Sequence, residues 1–432
     1  MISTTKVPST IRDKELTKIL PSRTLNESKL GLVQEIVENV REKGDSALLE
    51  YTKKFDRANL KPDELKVSKK EFEEAYSVVD EKFIAALKFA KKRIISYHEN
   101  QRTDSWFTTE EDGVLLGQQI SPIERVGIYV PGGMASYPSS VLMNAIPAKV
   151  AGVEEIAMCV PPDEDGQVNP RTLAAAFEAG VTEVYRVGGA QAIAAMAYGT
   201  EAIKKVYKIT GPGNIYVTLA KKLVFGTVDI DMLAGPSEVV VMADAKANPA
   251  YIAADMLAQA EHAPDATAIL ITTSARLAED VDAQLDEQLQ LIKRQSIAEE
   301  AIEKFGRILL TDSLGMAIKL VNFIAPEHLE IMVEDPMSIL GEIKNAGAIF
   351  LGAYTPESVG DYVAGPNHIL PTCGTARFYS PLGVYDFVKK SSVLSFTKEG
   401  LKKVVGPLEI IANAEGLDAH AQSATIRVEA RD

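Results

Sequence analysis

Arg125-Val126-Gly127-Ile128-Tyr129-Val130-Pro131-Gly132-Gly133 is a short run rich in β-branched residues that ends in a proline–glycine turn. Such a run reads as a strand, and its glycines let backbone approach a ligand closely. Two further stretches repeat the shape: Val187-Gly188-Gly189-Ala190-Gln191 and Gly211-Pro212-Gly213-Asn214 each follow a strand-like run. Loops at strand ends are where α/β sheets bind ligands. None of the three is Gly-x-Gly-x-x-Gly and no Walker A sequence is present, so a nucleotide bound here would use no standard pyrophosphate turn.

Working outward, short β-branched runs at 126–130, 155–160, 183–187, 206–209, 238–242, 267–272, 307–310, 329–333 and 348–351 alternate with helical segments. Alternation of this kind predicts parallel sheets covered by helices. The runs fall into two sets, before and after the glycine-rich stretch 211–236. Each set opens with a strand, a loop and a helix that has proline near its start, Pro138 or Pro249. The expected fold is therefore α/β with two Rossmann-like parallel-sheet domains, whose similar openings point to a duplication. Residues 1–24 are polar and read as an arm with little to bury. Leu30, Leu32, Val33, Ile36, Val37 and Val40 form a stripe at helical spacing. The segment from 383 reads as helix-like, rich in lysine and too short for its own core.

A net charge of −14 argues against nucleic acid or an anionic membrane surface as the main partner. No apolar stretch is long enough to span a bilayer, and the first residues lack the apolar core of a secretory signal. Cys159 and Cys373 are too few for a disulfide framework. A soluble protein of the cytoplasm is the expectation.

Four of the five histidines stand beside Gln, Glu or Asp. Gln259 and His262 are three apart and share one helix face, although a polar helix end would look the same. Glu327-His328 follows Pro326 at the entrance to a strand. There both side chains can reach one cleft, with Glu positioning or deprotonating water and His taking a proton from an alcohol; a surface Glu beside a half-buried His is the plain alternative. Asp361 and His368 lie in a turn-rich segment, where a lone Asp ordinarily caps backbone N–H groups. His420 closes the run Asn413-Ala414-Glu415-Gly416-Leu417-Asp418-Ala419-His420. His98, on a charged helix, is assigned no chemistry. Cys159 ends an apolar strand and reads as a small packed hydrophobe, which leaves loop-borne Cys373 as the better nucleophile of the two.

Taken together, these segments resemble the histidinol dehydrogenase family over nearly the whole chain. The likeness runs through 125–133, 187–195, 211–214, Asp231-Met232-Leu233-Ala234-Gly235-Pro236-Ser237-Glu238, Gln259-Ala260-Glu261-His262, Ala325-Pro326-Glu327-His328-Leu329, 367–372 and 414–420. The resemblance implies zinc ligands at Gln259, His262, Asp361 and His420, and a catalytic pair at Glu327 and His328. It implies substrate contacts at Ser237, His368 and Glu415, together with His328 and the metal residues, and NAD contacts at Tyr129, Gln191 and Asn214.

It further implies an intertwined homodimer in which the tail 383–432 completes the neighbour's site, placing Glu415 and His420 in trans. The division that goes with it is an arm 1–24, a first domain of 25–128 plus 238–382, and an NAD-binding second domain of 129–237. The implied reaction is a four-electron oxidation of L-histidinol to L-histidine through bound L-histidinaldehyde, with two NAD and one water. Cys373 departs from the family pattern, where a small residue such as Gly is expected, and raises a thiohemiacetal rival to hydration at Glu327. The other rivals are a relative that oxidises another amino- or sulfo-alcohol and a zinc-dependent hydrolase.

Overall fold

The computed structural model describes residues 2–21, 27–109, 111–132 and 136–429. Gly133 of the first glycine turn, residues 22–24 of the arm and the last residues of the tail lie outside that set. Among the described residues no helix is long and apolar enough to cross a membrane.

Two all-parallel sheets organise the chain. The five-stranded sheet runs in the order Glu183–Arg186, Glu155–Val160, Arg125–Tyr129, Lys208–Thr210, Asp229–Ile230. The six-stranded sheet runs Ser3–Val7, Arg307–Thr311, Thr267–Thr272, Glu238–Ala243, His328–Met332, Ala348–Leu351. Numbered from its first strand, the five-stranded sheet has the order 3-2-1-4-5. The six-stranded sheet has the same order once its added edge strand, Ser3–Val7, is set aside. Each sheet therefore reverses direction beside its first strand, the place where open α/β sheets form a crevice.

Alternation along the strands sends side chains into two cores per sheet. Val126, Ile128, Met158 and Val184 pack with helices Glu81–Glu99, Pro138–Ala151 and Pro170–Ala179, while Ala157, Cys159, Tyr185 and Ile209 pack with Leu30–Lys43, Gly189–Tyr198 and Ile215–Val224. In the six-stranded sheet Val239, Val241 and Leu270 face helix Pro249–Ala260, and Leu329, Ile331 and Ile269 face Leu314–Ile324.

Three details of the expected organisation are corrected. The arm is not coreless: Ser3–Val7 pairs in parallel with Arg307–Thr311, and Ile2, Val7 and Leu16 are buried. Its polar composition suits an edge strand, where Ser, Thr and Lys remain tolerable. The helices of 30–99 do not join the 238–382 unit. Their stripes, Val33, Ile36 and Val40 and then Ile84, Leu87 and Ile94, pack on the five-stranded sheet, and a boundary at 128/129 would cut the strand Arg125–Tyr129. The tail is not wholly helical, because Val388–Phe396 pairs antiparallel with Val114–Pro122 along its full length before helices Lys398–Ala414 and Asp418–Glu429 begin. Backbone pairing holds this strand, since most of its side chains stay exposed. The expected lack of a core in the tail is visible in its helices, where Ile410 is 73% exposed and Ile411 61%.

Candidate active site

Helix Pro249–Ala260 starts on an Asn248 cap that accepts from Ala250 N at 2.9 Å, with proline in the first turn. From that start Asp255, Gln259 and His262 fall four and three residues apart on one stripe. Strand His328–Met332 presents His328 and Glu330 on the sheet face that this helix covers, because alternate residues share a face. The short helix Glu357–Tyr362 adds Glu357 and Asp361, one turn apart.

These pairs meet beside the amino ends of two strands. The ligand atoms of His262, Glu357 and Asp361 all lie within 4.8 Å of one another. His328 Nε2 is 3.6 Å from Asp361 Oδ1, and its Nδ1 is 3.9 Å from Glu357 Oε1 and 3.8 Å from Glu327 Oε2. With its amide nitrogen turned toward Glu357, fully buried Gln259 donates to both carboxylate oxygens at 3.1 and 3.3 Å. Gln259 thus stands behind the His262–Glu357–Asp361 cluster and braces it.

The first residue of strand Glu238–Ala243 clamps the Glu327-His328 pair. Glu238 N donates to Glu327 Oε2 at 2.8 Å, and its carbonyl accepts from His328 Nδ1 at 3.1 Å. The second bond places a proton on Nδ1 and leaves Nε2 turned toward Asp361. The Glu238 carboxylate in turn accepts from Cys373 N at 2.8 Å, which ties the 372–374 loop to the same strand entrance. Glu327 and His328 lie side by side at Glu238, because His328 is only the first residue of its strand.

So many carboxyls out of water perturb one another. Burial by itself lowers the His328 pKa, but Glu357, Glu327 and Asp361 outweigh it and raise it to about 10. Burial, then the neighbouring Asp255, raises Glu330 to about 9. Burial raises Glu357 to about 8 against the pull of His328. Burial raises Asp255 to about 6 while Glu330 draws it back down, so the two neighbouring carboxyls ionise at one another's expense. Glu330 Oε1 also accepts from Glu357 N at 2.9 Å, holding the first turn of the Glu357–Tyr362 helix.

The remaining expected site residues divide. His368 joins the cleft, donating from Nδ1 to the Asp361 carbonyl at 3.0 Å with Nε2 3.3 Å from Ser140 Oγ, so it bridges to a helix of the other sheet. Half-buried Ser237 immediately precedes Glu238, its carbonyl accepting from Thr267 N at 2.9 Å. Glu415 and His420 are exposed on the tail helices and are not part of the His262–Glu357–Asp361 group. Sequence reasoning missed Glu357, Asp255, Glu330 and Glu238. The first three carry a usable signal, being four residues from Asp361, four from Gln259 and two from His328.

The expected cofactor residues sit at the carboxyl edge of the five-stranded sheet. Tyr129 ends its strand, buried, and its hydroxyl accepts from Gly189 N at 3.0 Å. Gln191 is 1% exposed, and among the described residues its Oε1 has no hydrogen-bond partner. Asn214 caps helix Ile215–Val224, accepting from Tyr216 N at 3.0 Å and Val217 N at 3.2 Å. Between them Gly211 holds φ at +117°, and a Cβ there would lie 2.1 Å from the Tyr129 carbonyl oxygen.

Comparison with known proteins agrees with this architecture. The family model described as histidinol dehydrogenase matches residues 22–428. The chain is 56% identical over 396 residues to a histidinol dehydrogenase of Syntrophotalea carbinolica, covering 92% of each chain. It is 57% identical over 395 residues to that of Aquifex aeolicus, covering 91% of each. The crystal structure of histidinol dehydrogenase from Elizabethkingia anophelis superposes with a TM-score of 0.94 at 39% identity, covering 99% of this chain and 98% of that one. The chain belongs to the histidinol dehydrogenase family and is an oxidoreductase.

Proposed function

We propose that the chain oxidises L-histidinol to L-histidine through bound L-histidinaldehyde, using zinc, two NAD+ and one water. The observation that carries this reading is the convergence of His262, Glu357 and Asp361 beside the Glu327-His328 pair. One imidazole and two carboxylates within ligand reach of one another suit zinc, and buried acids held partly protonated, as Glu357 is, are what a dication would relieve. His262 and Asp361 would hold it from this chain, with Glu357 and Gln259 at hand and His420 of the partner subunit as the remaining donor. A zinc ion there supplies a fixed anchor for amine and imidazole nitrogens, and NAD+ supplies the hydride acceptor, since zinc has no redox chemistry.

The chain's own residues do the rest. His328 Nε2 is turned toward Asp361 because Nδ1 is bound to Glu238 O, so Nε2 takes the hydroxyl proton as hydride leaves carbon. A cation held by Asp361 and His262 would offset the attraction of Glu357 and Asp361 that otherwise keeps His328 protonated. Glu327, held through Glu238 N, takes a proton from the water that attacks the aldehyde carbon. Ser237 and His368 line the substrate, while Tyr129, Gln191 and Asn214 receive the dinucleotide at the crevice of the other sheet.

An intertwined homodimer completes this reading. Glu415 and His420 stand exposed on helices whose Ile410, Ile411 and Ile426 also face outward, as expected if the tail serves a neighbour's site. Two sheets of identical strand order support a duplicated unit. A cytoplasmic location goes with the same reading. The test is NADH formed per L-histidinol consumed, with and without a chelator. About two NADH and loss of turnover on chelation are expected for a four-electron oxidation at a metal-anchored site; an absence of NADH would sink the reading.

A further inference from the structure

Away from that site, one half-buried acid has no use in the chemistry above. Asp56 ends helix Asp45–Phe55, its N–H bonded to Thr52 O at 2.9 Å. The next residue, Arg57, is a non-glycine residue in the left-handed region at φ +59°, and Ala58 beyond it is fully buried. This turn sends the Asp56 carboxyl to the carboxyl edge of the five-stranded sheet. There Oδ1 lies 3.3 Å from where a Cβ on Gly188 would stand, and the charge is close enough to act on the Tyr129 hydroxyl. Among the described residues Asp56 Oδ2 has no hydrogen-bond partner, and it is shut off from solvent. Burial alone pushes its pKa up to about 6.

A buried acceptor without a donor costs stability and calls for an explanation. The same turn holds a second one, Gln191 Oε1, which would lie 2.7 Å from a Cβ on Gly189. Two acceptors, one of them a carboxylate oxygen, select a ligand group that is neutral and rich in O–H donors. A diphosphate at this turn would meet the Asp56 charge directly. The Gly211-Pro212-Gly213-Asn214 turn suits the diphosphate better, because its own carboxylate, Asp231, is neutralised by the buried ion pair with Lys221.

We propose that Asp56 is a cofactor-binding residue that accepts the vicinal hydroxyls of a ribose of the dinucleotide at the Gly188-Gly189 turn. The acid that dinucleotide folds supply from within the sheet unit, about 20 residues past the glycines, comes here from the N-terminal helices. This rests on the NAD reading above and extends it by one residue and one ligand group.

NADH titration followed by nicotinamide fluorescence tests it on the parent chain, Asp56→Ala and Asp56→Asn. Loss of a charged hydrogen bond should weaken NADH binding about tenfold to a hundredfold in Asp56→Ala. Asp56→Asn, which preserves size and shape, should fall between. A purely structural role would not discriminate ligand hydroxyls, so the decisive arm is a cycle with NADH lacking the adenosine 2′-hydroxyl. If the adenosine ribose is the one held, that deletion weakens the parent and adds nothing in Asp56→Ala. If the nicotinamide ribose is held, reduced nicotinamide mononucleotide shows the Asp56→Ala loss instead. Either pattern supports the proposal. NADH binding by both variants within twofold of the parent, or equal losses with and without either ribose hydroxyl, overturns it alone. A parent chain that binds no NADH overturns the NAD reading with it.

Discussion

The six-stranded sheet works from the amino ends of its strands, where Glu238 and His328 open their runs and acids from two helices gather on the covered face. The five-stranded sheet presents glycine turns at the carboxyl ends of its strands, where Asp231 and Lys221 neutralise each other and Asp56 stands apart from them. Strand order is the same in both, so the fold does not decide which edge does chemistry. What differs is the currency of each edge. One is made of ionisable side chains held in each other's fields; the other is made of backbone that must pass close to backbone. Substitutions should therefore fail differently, in reactivity at the first edge and in stability at the second.

The largest effect is expected at the amino edge. Glu327→Gln keeps the shape and an oxygen for Glu238 N, but it removes the base proposed for hydration. Oxidation of L-histidinaldehyde should fall about 10²- to 10⁴-fold, the usual worth of a positioned base. The melting midpoint should hold or rise, because one carboxylate is withdrawn from a cluster that already raises His328 and Glu357. Stopped-flow NADH formation and thermal unfolding read the two separately. A fall in rate under about tenfold, or a collapse of stability, would break the contrast.

At the carboxyl edge Gly211→Ala inverts the pattern. The methyl group would lie 2.1 Å from the Tyr129 carbonyl oxygen at a φ of +117°, and neither chain segment can yield without disturbing the pairing of Arg125–Tyr129 with Lys208–Thr210. We expect a loss of about 4 kcal/mol or more, the range reserved for special backbone sites and core clashes. Urea unfolding measures it. A variant of near-parent stability would show that this edge is not backbone-limited.

The legibility of the two edges differs for the same reason. Nine strands were readable because β-branched runs are local signals, and the glycine turns announced the carboxyl edge directly. Strand Val388–Phe396 was not readable, since its lysines and serines pair through backbone and leave no apolar pattern. At the active site Gln259 and His262 were visible as a shared helix face. Asp255, Glu330 and Glu357 obey the same spacing rules. They escaped notice because an acid at helical or strand spacing reads as a solvated face until a second element is known to cover it. Nothing local distinguishes Glu238, whose importance lies in main-chain bonds to Glu327 and His328. The roles of Glu415 and His420 came from the family likeness alone, and one chain by itself leaves both exposed.

Cys373 belongs to both edges and gives the smallest expected effect. Its N–H bonds Glu238 beside Glu327 and His328, and yet its backbone sits at φ +55°, in the left-handed region that favours glycine. Cys373→Gly keeps the N–H bond, relieves about 1 kcal/mol of conformational strain and loses the packing of a small side chain against Gly235. The two changes oppose, so unfolding should shift by no more than about 1 kcal/mol. Oxidation of the aldehyde should persist, because hydration at Glu327 makes no use of the thiol. A thiohemiacetal route predicts the reverse. Cys373→Gly and Cys373→Ala would then both stop at L-histidinaldehyde while Glu327→Gln carried on to the acid, and that result would move the second half of the reaction from a side-chain base to a nucleophile on the loop.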